Sequence, residues 1–310
     1  MRPPARPIAR RISATSDSLS SRGASVDIQK IGVVGSGQMG SGIAQVCAAA
    51  GFQTITHDLF LTRDNPRYGI GAIRARLQRQ VGQGKLEQAA MDATLARLSD
   101  TIDLADLADC DLAIEAVVEQ LDEKLKVFQA LDRICPERTI LATNTSSIAI
   151  MAIAAGTKRP DRVLGLHFFN PPPVMRLVEI VQTLATSEAT LSACRELVRA
   201  LGKQPILSKD RAGFIVNYLL LPYLMDAIRM YEQGLASRED IDAGMTLGCG
   251  YPMGPLRLAD FIGLDTCYYV AQVLFDEFKE ARYAPPPILK RMVLAGQLGD
   301  KTGKGFYEHG

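Results

Sequence analysis

The stretch KIGVVGSGQMGSGIAQVCAAAGFQTITHD, residues 30–58, decides the fold. KIGVVG is a short apolar strand, SGQMGSGIAQVCAAAG is a turn entering a small-residue helix that ends at Gly51, and FQTITHD is a second strand. That order is one βαβ unit, which pairs its strands in parallel because the helix carries the chain back across the sheet. Gly35, Gly37 and Gly40 stand between strand and helix as G-x-G-x-x-G. In this context the first glycine permits the tight turn, the second lets the backbone approach a pyrophosphate, and the third lets the helix pack close to the strand. Ser36, Gln38 and Met39 complete the loop, and the helix behind it offers unpaired N–H groups and a positive dipole end to phosphates. Glycine loops also serve as plain packing turns. Asp58 separates the two readings, because it ends the second strand 18 residues after Gly40. That is near the spacing of about 20 at which a carboxylate accepts ribose hydroxyls. A carboxylate there repels a 2′-phosphate, so the expected cofactor is NAD, with NADP kept open by the nearby Arg63.

Beyond this unit the alternation continues. CDLAIEAV is a third strand, EQLDEKLKVFQALDRIC an amphipathic helix, TILATNTSS a fourth strand and RVLGLHFF a fifth, while VMRLVEIV resumes an extended pattern after a run of prolines. Residues 63–97 are helical in period. Strands alternating with helices imply a parallel sheet covered on both faces. From Ala212 onward the strand signal stops, and GFIVNYLLLPYLMDAIRMYEQG, REDIDAGMTLG, GLDTCYYVAQVLFDEFKEA and PPILKRMVLAGQLG all read as helices. The expected architecture is therefore α/β, a Rossmann-type doubly wound sheet over residues 29–209 followed by an all-α C-terminal domain over residues 210–310. A chain of 310 residues is long enough for two such cores.

Composition narrows the partners. Thirty-five Lys and Arg balance 34 Asp and Glu, so no global field favours nucleic acid or an acidic membrane. No run of 18 apolar residues suggests a membrane span, since Asn217, Pro222 and Asp226 break the nearest candidate. Six scattered cysteines without a C-x-x-C pair argue against a disulfide framework or a metal site and fit a reducing compartment. Residues 1–28 are read as a disordered N-terminal extension. Its first 25 residues hold five arginines, six serines and one acid, with no apolar core segment. That composition is similar to a mitochondrial transit peptide, whereas a plain extension would leave the chain in a bacterial cytoplasm.

The catalytic candidate lies in LHFFNPPP, residues 166–173. Only three histidines exist. His309 is penultimate and His57 lies beside an acid at a strand end, which leaves His167 as the one expected in a domain interior. An alcohol dehydrogenase needs a base near neutral pH to take the hydroxyl proton as hydride departs. The chain leaves a strand at Phe169, turns through NPPP and returns as another, so Glu179 can come back beside His167 although 12 residues separate them. A carboxylate on one ring nitrogen fixes the tautomer and stabilises the imidazolium. A lone strand-end histidine can equally be a satisfied core residue.

GSGQMGSGIAQ, EAVVE, TNTSS, LGLHFFNPPPVMRLVEIV, DRAGFIVN, YPMGP, GLDT and KTGKGFY also occur in the order and at the spacing of the L-3-hydroxyacyl-CoA dehydrogenases, including bacterial 3-hydroxybutyryl-CoA dehydrogenases. The chain resembles that family from Ile31 to Tyr307. The resemblance implies NAD-linked, reversible oxidation of an acyl-CoA thioester to its 3-keto form by a homodimer joined through the C-terminal domain. It makes His167 the base and Glu179 its partner. Ser146 becomes the hydroxyl on the substrate's C3 oxygen and the nicotinamide, and Asn217 the amide that holds the thioester end. Glu119, Lys124, Asn170 and Lys301 match cofactor-contacting positions. Without the resemblance, Ser146 reads as a helix cap, Asn217 as a buried amide in need of a partner, and Lys124 and Lys301 as solvated surface charges.

The phosphates of coenzyme A call for cations. Residues 63–85 carry Arg63, Arg67, Arg74, Arg76, Arg79 and Lys85 against Asp64, and Arg76 and Lys85 are the candidates for that contact, although the same charges suit a solubilising helix face. LFLTRDNPRYG departs from the family pattern here, since Asn65-Pro66 and nearby glycines interrupt a helix. Two rival readings share much of this machinery: a free hydroxy-acid dehydrogenase similar to L-gulonate 3-dehydrogenase, and a non-catalytic NAD-binding protein similar to the related lens crystallins.

Overall fold

The computed structural model describes residues 27–59 and 68–309. Arg63, Asp64 and Arg67 lie outside the described residues, as does the extension up to residue 26. Ile28, counted with the extension on composition, is buried in the core.

Strands β1 (Lys30–Val34), β2 (Gln53–His57), β3 (Leu98–Thr101), β4 (Leu112–Glu115), β5 (Ile140–Thr143), β6 (Val163–Phe168), β7 (Leu177–Gln182) and β8 (Gln204–Lys209) form one sheet in the order β3-β2-β1-β4-β5-β6-β7-β8. Every pairing is parallel except β6 with β7. Central strands such as IGVV of β1 and VLGLHF of β6 are apolar along most of their length because helices cover both faces. Helices α1 (Gln38–Ala49), α2 (Gly69–Gly82), α3 (Gln88–Leu95), α4 (Leu121–Ile134), α5 (Ile150–Ala154) and α6 (Glu188–Ala200) provide that cover. One apolar cluster joins Ile43, Ile73, Leu77 and Leu197 to Ile31 and Leu166, and another joins Phe128, Leu131 and Ile153 to Val34 and Leu141.

Two strands, β3 and β8, go beyond the sequence reading. They are the outermost strands, and their residues LSDT and QPILSK are largely polar and partly exposed, so they lack the apolar run that marks a central strand. Pro205 is tolerated in β8 because an edge strand leaves N–H groups unpaired.

Beyond β8 the chain is helical: α7 (Val216–Glu232), α8 (Arg238–Cys249), α9 (Pro255–Ile262), α10 (Leu264–Phe278) and α11 (Pro287–Leu294) enclose their own core of Leu224, Ile228, Leu256, Leu274, Tyr283 and Leu289. The final segment returns to this core through Asp260, whose carboxylate accepts from the N–H groups of Phe306 and Tyr307 and pairs with His309 at 2.9 Å. Among the described residues no single helix is long and apolar enough to cross a membrane.

Candidate active site

Parallel strands end on a common edge, and the sheet therefore gathers the loops after β1, β2, β4, β5 and β6. Those loops carry the glycine motif, Asp58, Glu119, Ser146 and Asn170.

The glycine loop has the shape a dinucleotide requires. Gly35 has φ of +92°, and a Cβ on it would sit 2.5 Å from the Ala116 carbonyl oxygen. A Cβ on Gly40 would lie 1.7 Å from the Gly35 carbonyl oxygen, so strand and helix touch through this pair. At Gly37 a Cβ would meet no atom within 4 Å, which leaves the backbone open to a phosphate-bearing ligand. Asp58 braces the loop, accepting from the Ser36 N–H at 2.8 Å and the Ser36 hydroxyl at 3.1 Å. Gln38, at the start of α1, donates to Asn170 at 3.0 Å and so ties the glycine loop to the NPPP turn. These residues fit NAD.

Half-buried Glu119 and buried Lys124 stand beside the TNTSS turn. Lys124 is 1 % exposed, which corrects the reading of it as a solvated charge. Its ammonium pairs with Glu115 at 2.7 Å and with Glu119 at 3.1 Å. Glu119 then accepts from the Thr145 hydroxyl, the Ser146 N–H, and the N–H and hydroxyl of Ser147, at 2.5 to 3.2 Å. Burial works against its charge, but Lys124 and these hydrogen bonds prevail and hold the carboxyl below its ordinary value. The TNTSS turn that presents half-buried Ser146 is thus built around one carboxylate. Glu115, which also accepts from Val117 N–H and the Thr143 hydroxyl, escaped the sequence reading. A lone charge in the apolar strand LAIE was the available signal, since a fully buried carboxylate needs a paired cation.

His167 and Glu179 face each other as register partners across the antiparallel β6–β7 pair. The His167 Nδ1 and Glu179 Oε2 atoms are 2.7 Å apart, with Glu179 fully buried. The second carboxylate oxygen accepts from the N–H groups of Ile215 and Val216 at 3.0 Å each, capping the N-terminus of α7. A carboxylate on Nδ1 leaves Nε2 as the nitrogen able to take a proton from a substrate. The rings of Phe169 and Phe214 lie 4.6 and 5.4 Å from the imidazole.

Asn217 occupies the first turn of α7, two residues beyond the N–H of Ile215 that Glu179 accepts, and is half-buried. Lys301 is held by Asp265 at 2.8 Å and Thr266 at 3.1 Å on the first turn of α10. Tyr269, one turn further along that helix, donates to the Glu119 carbonyl at 3.2 Å, which brings the helical domain to the same edge. Arg76 bonds Gln45 at 2.8 Å and Ser41 at 3.3 Å on α1, so the structure joins it to the nucleotide helix, while Lys85 is exposed in the turn between α2 and α3. His57 is a second interior imidazole, 8 % exposed, its buried Nδ1 without a hydrogen-bond partner among the described residues, which corrects the expectation that His167 stands alone. Burial lowers the His57 pKa. Among the described residues no cluster of side chains suits a metal ion.

Comparison with known proteins places the chain in a family. Residues 30–211 match the family described as 3-hydroxyacyl-CoA dehydrogenase, NAD binding domain, and residues 213–309 match the corresponding C-terminal domain. A 3-hydroxybutyryl-CoA dehydrogenase of Mycobacterium tuberculosis is 50% identical over 287 residues, covering 91% of this chain and 99% of its own. The human mitochondrial hydroxyacyl-coenzyme A dehydrogenase is 41% identical, covering 96% of each chain. The solved (S)-3-hydroxybutyryl-CoA dehydrogenase of Ralstonia eutropha superposes with a TM-score of 0.85 at 43% identity, covering 92% of this chain and 100% of that one.

Proposed function

The chain belongs to the 3-hydroxyacyl-CoA dehydrogenase family, as an NAD-dependent oxidoreductase, and from that premise we propose that His167 is its general base and Glu179 the group that orients it. The observation that carries this reading is the 2.7 Å His167–Glu179 pair on the strand edge that also bears the glycine loop. NAD, when bound, supplies the acceptor for the hydride leaving C3 of an L-3-hydroxyacyl-CoA. Gly35, Gly37 and Gly40 admit its pyrophosphate, and Asp58 accepts its ribose hydroxyls. In oxidation, neutral His167 takes the 3-hydroxyl proton on Nε2, and Glu179 stabilises the resulting imidazolium from Nδ1. In reduction the same nitrogen returns the proton to the 3-keto oxygen. Ser146 donates to the C3 oxygen, on a turn fixed by Glu119, and Asn217 holds the thioester. Asn170 and Lys301 complete the cofactor side, with Lys124 acting through Glu119.

The substrate we assign is short, 3-hydroxybutyryl-CoA and its product acetoacetyl-CoA, in keeping with the relatives that share most of the chain's length. A free hydroxy acid is the competing substrate. NADH oxidation measured with acetoacetyl-CoA and with acetoacetate separates them: turnover of the thioester is expected, and turnover of the free acid alone would overturn the assignment. Residues 29–209 and 210–310 are read as nucleotide and substrate domains. We further infer a homodimer through the helical domain. Exposed Leu219, Leu247 and Tyr251 support it, as does the buried Tyr223 hydroxyl, which has no partner among the described residues. Light scattering at the monomer mass would contradict that assembly. Residues 1–28 bear on location, as a mitochondrial matrix signal or as an extension in a bacterial cytoplasm, and fusing them to a reporter in mitochondria-containing cells distinguishes the two.

A further inference from the structure

The segment between β8 and α7 makes an unusual turn. Gly213 has φ of +78°, and Phe214 follows with φ of +47°, a left-handed conformation that bulky side chains rarely adopt. At Gly213 the reason is space, since a Cβ there would lie 2.9 Å from the Tyr218 nitrogen. At Phe214 no such relief exists, and a strained aromatic residue persists only where its surroundings hold it.

The surroundings are the catalytic pair. Phe214 is 6 % exposed, and its ring meets the His167 imidazole edge-on, with 5.4 Å between centroids. The next two residues, Ile215 and Val216, give their N–H groups to Glu179. Upstream, Asp210 accepts from the N–H groups of Ile150 and Met151, at the start of the helix that follows the Ser146 turn. One short turn therefore touches the base, the base's carboxylate and the helix behind the substrate hydroxyl. An imidazole hydrogen-bonded through Nδ1 can still pivot about that bond, and the Phe214 ring, together with Phe169 at 4.6 Å between centroids, restricts that freedom.

We propose that Phe214 is a positioning residue for the reaction, a wedge whose left-handed backbone lets the seating of α7 on Glu179 set the angle of the His167 ring. This rests on the reading of His167 as the base. A left-handed turn alone is satisfied by glycine, which has no ring, so phenylalanine at this position marks the ring as the part required.

The test compares Phe214→Ala with Phe214→Gly. Both delete the ring, but only glycine relieves the backbone, so the glycine variant should melt at the higher temperature. Both should lose about tenfold or more in kcat for acetoacetyl-CoA reduction, with KM for NADH within about twofold of the parent, because orientation rather than cofactor binding is lost. The isotope effect from NADH deuterated at the transferred position should stay at or above the parent value, which places the loss in the chemical step. Parental kcat in the folded glycine variant would overturn the proposal, as would a loss confined to KM for NADH. His167→Ala in parallel keeps the two ideas apart. If that variant turns over normally, the base assignment fails. If it is inert while Phe214→Gly is fully active, only the wedge fails.

Discussion

Lys124 shows how much a single buried charge organises. Its ammonium lies between Glu115 and Glu119, and the second of these carboxylates in turn shapes the turn bearing Ser146. Removing the cation leaves two carboxylates close together and largely withdrawn from water. Lys124→Met should therefore cost roughly 3–5 kcal/mol of stability, read as a lowered midpoint in urea, and a midpoint unchanged from the parent would show that the pair contributes little. The pH dependence of the same cluster has a definite sign. Glu119 titrates below its ordinary value of 4.5 in the folded chain, so its contribution is complete above that pH and is lost as pH falls through the lowered value. Glu119→Gln should flatten the acid limb of the stability profile, as followed by circular dichroism, and an unaltered limb would contradict it. At this scale the sequence was informative where chemistry is local. His167 and Glu179 stood out by residue type and by the strand–turn–strand between them. Phe214 did not, because its role depends on a ring far away along the chain, and Glu115 did not, because no periodicity pairs a strand-end carboxylate with a lysine on the helix that follows.

At the scale of elements, each loop derives its position from the strand that ends at it. The βαβ unit of residues 30–58 was legible because glycine placement, small helix residues and apolar strands all follow from one packing requirement. The polar edge strands β3 and β8 were not, since alternation and apolar runs mark only strands that are buried. Asp58 is where strand and loop meet, accepting from Ser36 at the head of the glycine loop. Asp58→Ala should weaken NADH binding about tenfold or more, the loss expected when charge-assisted hydrogen bonds disappear. Fluorescence titration measures it, and an unchanged Kd would detach this carboxylate from the cofactor.

For the whole molecule, the sheet and the helical domain are joined by Phe214, which packs into the apolar cluster of the sheet, and by polar ties: Glu179 to α7, Tyr269 to the Glu119 carbonyl, and Asp210 to α5. The two-part division was legible in where the strand signal stops. The ties were not, because no periodicity announces a carboxylate that caps a helix from another element. Five of the six cysteines are buried in the cores, and burial pushes the thiols of Cys47, Cys110, Cys194 and Cys267 up to about 12 and that of Cys135 to about 11. A thiol reagent at neutral pH should modify only exposed Cys249 in the folded protein and all six after denaturation, and rapid native labelling of more than one site would show the cores to be open. The central claim is that His167, oriented by Glu179, moves the proton in NAD-linked hydroxyacyl-CoA oxidation. The most direct measurement is the single-turnover rate of NADH oxidation by acetoacetyl-CoA in the parent and in His167→Ala, with NADH affinity determined on the same samples. The account predicts a rate lower by about 10²- to 10⁴-fold at essentially unchanged NADH affinity. A variant that binds NADH and reacts at the parental rate would contradict it.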